Sequence, residues 1–262
     1  MKAARAGFAV ELIKFATCRP LWMLPLLAIG LTWSLTYLSG LSEIAATGGD
    51  LAGSSAVNNP LLYSAQPLPV EYQGFDMMNI GVVLMVTLGA LHAGSEYGSG
   101  LIRSSLIADP NRPRLFATRA ALLGAVIGLT ALLAMGVGTV IRHLALGDQG
   151  LNPLAFPPLV WRNIAGVALV WTTLGLLAYG LGVLARNPVL PLVLIMPLVV
   201  GLGDFFATLW EPARYLPPAA GAALFAPIDV SHLAPTSGAL VMTAWAMGSL
   251  VLAGLVFSRR DV

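Results

Sequence analysis

Six apolar segments, each of the length a helix needs to cross a bilayer, leave this chain little choice of fold. They run near Leu21 to Leu38, Met78 to Ser95, Ala117 to Ile141, Ile164 to Leu184, Val189 to Thr208 and Leu240 to Phe257. A spanning helix needs about 20 mostly apolar residues for roughly 30 Å of hydrocarbon. Barrel strands would instead alternate polar and apolar residues over about ten positions, so the continuous runs predict helices. The chain is 57% hydrophobic with a mean hydropathy of +0.82, too little polar surface to cover a water-soluble globule. The expectation is an all-α integral membrane protein with residues 1–262 forming one membrane domain, no internal repeat and no soluble domain.

Basic residues set the orientation, because short loops rich in Lys and Arg stay in the cytoplasm. With the N-terminus inside, Lys2, Arg5, Lys14, Arg19, Arg103, Arg112, Arg114, Arg119, Arg186, Arg259 and Arg260 are cytoplasmic, and Arg142, Arg162 and Arg214 are external. Both termini are therefore expected in the cytoplasm. Glu43, Asp50, Glu71, Asp76, Asp148, Glu211 and Asp229 then fall in external connections. The stretch before the first span holds Glu11, Lys14 and Arg19, too mixed in charge for a secretory leader, so the first span is expected to be kept as a helix. A formal charge of +2, with its basic residues scattered among apolar segments, argues against a nucleic-acid surface. The single cysteine, Cys18, excludes an intrachain disulfide and a cysteine-based metal cluster.

Two connections have a character of their own. Phe8 to Phe15 mixes apolar residues with Glu11 and Lys14, as a short helix on the cytoplasmic interface would. An ordinary flank of the first span has the same composition. From Phe205 to Pro235 the chain is apolar enough to enter the bilayer but is broken by Pro212, Pro217, Pro218 and Pro227. That pattern predicts short helical pieces dipping in from the outer face, packed against protein; an external loop resting on the membrane is the alternative.

Few residues suggest chemistry. A phosphate-cradling G-x-x-x-x-G-K-[ST] loop is absent, since the chain has no Gly-Lys pair. His92, His143 and His232 are far apart and none precedes a Glu, so no zinc-protease helix is present and no metal site is expected. His92 and Glu96 do fall on one helical face, as a helix-end polar pair or half of a ligand set. Asp204 is the acidic residue placed inside a span, and a carboxylate there is a candidate for function or a solvated interfacial group. Ser237 and His232 lie close enough in sequence to pose an intramembrane hydrolase as a rival, without an evident third residue to orient them.

The densest charge lies in Glu96 to Arg119, which carries Glu96, Arg103, Asp109, Arg112, Arg114 and Arg119. Glu96 closes the second span, Gly98 and Gly100 permit a sharp change of direction, and Leu101 to Ala108 reads as a short amphipathic helix ended by Asp109-Pro110. Such a knob on a cytoplasmic loop suits a groove in another protein. Topology alone accounts for the arginines, but not for the glycine-flanked Glu96 or the short helix.

The run E-Y-G-S-G-L-I-R-S-S-L-I-A-D-P-N-R-P-R-L-F-A-T-R resembles the signature of type-2 ABC exporter (ABC-2 type) permeases. Their pattern is roughly E-x-x-x-G-T, a short helix, P-x-R and a basic residue opening the next span. Glu96, Gly100, Pro110, Arg112 and Arg119 stand at the matching places; Leu101 replaces the usual Thr, and Arg119 a common Lys. The resemblance takes in the N-terminal segment with Glu11 and Lys14, six spans, the broken segment around Tyr215-Leu216-Pro217 and the closing Arg259-Arg260-Asp261. It implies a plasma-membrane transport subunit, not itself an enzyme, paired with a second permease copy or paralogue. Separate cytoplasmic ABC ATPase subunits would hold ATP and Mg, and this chain no cofactor. It further implies that Glu96, Gly98, Gly100, Arg103, Asp109, Arg112 and Arg114 couple the chain to the ATPase, and that the second and fifth spans line a substrate path. Met85, Met196 and Phe205 would suit a hydrophobic or amphipathic cargo there, and ordinary helix packing would use the same residues. A membrane partner that does not transport, such as an immunity or sensor subunit, would keep the docking knob but need no path.

Overall fold

The computed structural model describes residues 11–13, 15–49, 51, 69–98, 111–227, 231 and 233–259, with the side chains of 95–98 excepted. Helical turns at 11–13 and 15–17 lead into α1 (Arg19–Thr47). Then follow α2 (Met78–Gly98), α3 (Arg112–Ala145), α4 (Pro158–Ala185), α5 (Val189–Pro197), α6 (Gly203–Leu209), α7 (Pro217–Ala222) and α8 (Pro235–Arg259). Five stretches are long and apolar enough to cross a membrane: α1, α3, α4, residues Val189–Leu209 spanning α5 and α6, and α8. The shorter apolar run Met78–Gly94 within α2 stands beside them. The class is therefore a multi-pass, all-helical membrane protein.

Successive long helices alternate in direction. The near end of the bundle carries the starts of α1 and α3; the far end carries Thr47, Met78, Ala145 and Pro158.

α4 sits at the centre, packed by α2, α3 and α8, and 72% of its apolar window is buried against 22% for α1. Small residues let the helices meet there, as in membranes, where association depends on close packing rather than on expelling water. A Cβ on Gly89 of α2 would overlap the Gly175 carbonyl of α4, and one on Gly81 would overlap the Trp171 ring. Thr130, Thr139 and Thr172 satisfy their hydroxyls within their own helices, each donating to the carbonyl four residues earlier at 2.7 Å.

The peripheral helices are one-sided. α1 buries Leu21, Pro25, Ala28, Thr32, Thr36, Ser39 and Glu43, and α8 buries Gly238, Met242, Ala246, Ser249, Ala253 and Phe257. Both stripes follow spacings of three and four. Their other faces expose residues such as Leu26, Leu38, Leu240 and Leu252, which in a bilayer are turned to apolar surroundings.

The stretch placed as a fifth span is interrupted. Pro197 has no N–H to continue the helix, the backbone widens into a π turn over Leu198–Leu202, and Gly201 turns to φ 132° before α6 resumes. Beyond it come a 3-10 turn at Glu211–Tyr215 and the two-turn α7, anchored where Trp245 Nε1 donates to the Tyr215 carbonyl at 2.9 Å. Ala219, Ala220, Gly221 and Phe225 are buried. The short helical pieces expected between Phe205 and Pro235 are thus present and packed against protein.

Candidate functional site

Most of the stretch singled out for docking lies outside the described residues: Gly100, Arg103 and Asp109 are among them. Glu96 and Gly98 lie in the last turn of α2. Arg112 and Arg114 belong to the opening turn of α3, whose cap is Asn111: its Oδ1 accepts the Arg114 N–H at 3.1 Å. Arg119 lies further along α3 and is 1% exposed; its Nε donates to Glu11 Oε1 at 2.8 Å. This near-end pair fastens the N-terminal turns to α3.

At the far end of the same helix the structure assembles a second ionic cluster, and here the sequence expectation is corrected. Glu43 and Arg142 were assigned outside the spans; instead Glu43 lies inside α1 and Arg142 inside α3, while Asp76 lies in the connection before α2 as expected, and all three side chains are at most 2% exposed. Arg142 Nη2 donates to Glu43 Oε2 and, at 2.8 Å, to Gln73 Oε1. Its Nη1 donates to Ser39 Oγ at 2.8 Å and lies 3.8 Å from Asp76 Oδ2. Gln73 Nε2 in turn donates to Glu43 Oε1 at 3.2 Å, and Ser39 Oγ to Asp76 Oδ2 at 2.7 Å. Gly74, at φ 97°, lets the connection press against Arg142: a Cβ there would lie 3.3 Å from Arg142 Cβ.

Formally this cluster sets one guanidinium against two carboxylates. Arg142 faces both of them, Glu43 through Nη2 and Asp76 through Nη1. Asp76 Oδ1 is buried with no hydrogen-bond partner among the described residues.

Asp76 also lines a cavity of about 320 Å³ between the start of α2, α4, the π turn, α6 and α7. Val82, Val170, Leu174 and Val199 form apolar wall, Phe75 and Phe225 aromatic wall, and Asn79 and Thr208 polar wall. Asp204, expected as the carboxylate inside a span, stands in the same lining on exposed α6. Among the described residues, Lys and Arg are absent from this lining.

The remaining sequence candidates do not converge on this site. Met85 is fully buried where α2 meets α4, Met196 is half-buried, and Phe205 is exposed; none of them lines the cavity. His92 is fully buried between Phe15 and Tyr179, ring centroids 5.2 and 5.5 Å away, and the side chain of Glu96, its expected partner, lies outside the described residues. Ser237 is exposed in the first turn of α8, and His232 lies outside the described residues. Cys18 is half-buried at the start of α1. Among the described residues no three His, Cys, Asp or Glu side chains gather as a metal site.

Sequence reasoning missed Glu43 and Arg142, although a signal was available: Thr32, Thr36, Ser39 and Glu43 continue one helical face of α1 past its apolar run. No family model matches this chain. No curated protein matches it significantly either.

Proposed function

We propose that the chain is the membrane-spanning subunit of an ATP-driven ABC exporter, moving a hydrophobic or amphipathic substrate outward on energy from a separate ATPase. In this reading α2 is a sixth span, the near end is cytoplasmic, and the permease works as a dimer with a second copy or a paralogue in the plasma membrane. The Glu96-to-Asp109 stretch is the coupling element on the ATPase, where ATP and Mg are bound. The observation that carries the reading is the buried Arg119–Glu11 pair. It joins the N-terminal turns to the helix that leaves the coupling stretch, so a push on that stretch reaches both. The broken, protein-packed segment before α8 supports the same reading.

Movement then follows from rigid parts. Closure of the ATPase subunits displaces the coupling element, and helices locked by the glycine contacts of α2 and α4 rock as a unit. The test is ATP hydrolysis by the assembled complex. Arg103→Glu combined with Glu96→Ala is expected to lower substrate-stimulated hydrolysis to the unstimulated rate while membrane insertion is retained; undiminished stimulation rejects the coupling assignment. The purified chain alone is expected to hydrolyse no ATP, and intrinsic activity would refute a division into two subunits.

A further inference from the structure

We propose that the groove on α1 beside α2, at the near end, holds one anionic phospholipid of the bilayer, its phosphate on Arg19 and an acyl chain along Trp22, Met23 and Leu27. The groove offers about 610 Å³, within the roughly 300–1,000 Å³ typical of ligand sites. Trp22, Met23, Leu26 and Leu27 of α1 and Leu91 of α2 give it apolar walls. Among the described residues its ionisable lining is Arg19 alone, exposed at the first residue of α1. One cation at the end of a hydrocarbon trough is complementary to a lipid with a negative headgroup and an apolar tail.

The dimensions agree with one leaflet. From Arg19 to Leu27 α1 rises about 12 Å, close to half of the roughly 30 Å of hydrocarbon in a bilayer. Arg19 thus stands at headgroup level while Leu27 approaches the midplane, and Trp22 lies where amphipathic rings anchor at the interface. The near end as a whole attracts anions. Apart from the Glu11–Arg119 pair, its described charged side chains are Arg19, Arg112, Arg114, Arg186 and Arg259, whereas the far end carries Glu43, Glu71, Asp76, Asp148 and Glu211 against Arg142, Arg162 and Arg214. A basic surface of this kind gathers anionic lipid. A second copy of the chain suits the groove poorly, because two copies meeting on this face about a twofold axis along the membrane normal would set Arg19 against Arg19.

The site rests on the multi-pass class of the chain and not on the exporter reading, and it holds for whichever leaflet the near end faces. The experiment is native mass spectrometry of the purified, delipidated full chain, titrated with palmitoyl-oleoyl phosphatidylglycerol and, in parallel, with phosphatidylcholine of the same acyl chains. One phosphatidylglycerol per chain is expected to bind about fivefold more tightly than phosphatidylcholine, the effect of one basic residue at a lipid surface. Arg19→Gln should bring phosphatidylglycerol down to the phosphatidylcholine value and change the latter far less. Leu27→Trp, at an exposed position, fills the trough and should weaken both lipids alike. Leu133→Trp on the exposed face of α3 and Arg259→Gln at the end of α8, both outside the groove, should leave both affinities as in the parent. Glycerol phosphate, which has the anion without the tail, should not compete.

The proposal is overturned if the two lipids bind equally to the parent chain, if the preference for phosphatidylglycerol survives Arg19→Gln, or if Leu133→Trp or Arg259→Gln weakens binding as much as the groove variants do. Competition by glycerol phosphate would make this a free-phosphate site, and dimers that Leu27→Trp dissolves, with no lipid retained, would make it an interface between chains; either result also overturns it. Arg19 and Leu27 are both exposed, so these variants alter the groove and not the core. A failed lipid site with intact ATPase coupling leaves the exporter reading standing, and failed coupling with intact lipid binding leaves the lipid site standing.

Discussion

α3 carries a buried arginine near each end, and the two are held in different ways. At the near end Arg119 meets Glu11, which comes from helical turns at the edge of the described chain. At the far end Arg142 meets Glu43, Asp76, Gln73 and Ser39, contributed by α1 and by the connection that precedes α2. Ions removed from water need partners fixed by the surrounding structure. The far cluster obtains them from residues that are themselves buried in the bundle. The near pair draws its carboxylate from a short helical turn ahead of α1 rather than from a long bundle helix. The comparison teaches that one ion pair is part of the bundle's frame and the other is a tether.

The largest effect should follow loss of the frame. Arg142→Leu leaves Glu43 and Asp76 buried without their cation and is expected to cost about 3–5 kcal/mol, read as resistance to denaturant in detergent micelles. Arg119→Leu should cost less, about 1–3 kcal/mol, because it leaves one carboxylate, on a short turn, without its cation rather than two. Its signature is faster amide exchange confined to residues 11–17. A cost as large as that of Arg142→Leu, with no local rise in exchange, would break the distinction between frame and tether. The smallest effect is expected at the exposed Glu211–Arg214 pair, 3.1 Å apart with the carboxylate 81% exposed. Glu211→Ala should change stability by about 0–1 kcal/mol, the baseline for an ion pair that water already solvates. A loss near that of Arg119→Leu would show that the near-end pair is no more than a surface contact.

The membrane helices were legible in the sequence because their signal is local: an apolar run of sufficient length declares itself whatever surrounds it. The interruption of the stretch from Val189 to Leu209 was not read, although Pro197 and Gly201 were in view, because proline is tolerated in membrane helices and only the packed backbone decides whether it breaks one. Arg142 and Glu43 were misplaced for a related reason. Counting charges assigns an arginine beside an apolar run to the nearest loop, yet α1 and α3 extend beyond their apolar cores and carry both residues into the bundle. The cluster itself joins positions separated by as many as 103 residues, a distance over which no pattern in a single sequence reports contact. The cavity was only half visible. Asp204 drew notice as a carboxylate within a span, while Asp76 passed as a loop acid until folding brought both into one lining.

The length of α3 has a consequence for the membrane it occupies. Its 34 residues extend about 51 Å, and the rise from Arg119 to Arg142 is about 35 Å. Both guanidinium heads are fastened to other parts of the chain, so neither extends along the helix toward water to suit its surroundings. The molecule therefore carries a ruler. A bilayer thinner than this interval must be met by tilting the bundle or thickening the lipid around it, and such mismatch sorts proteins among membranes of different thickness.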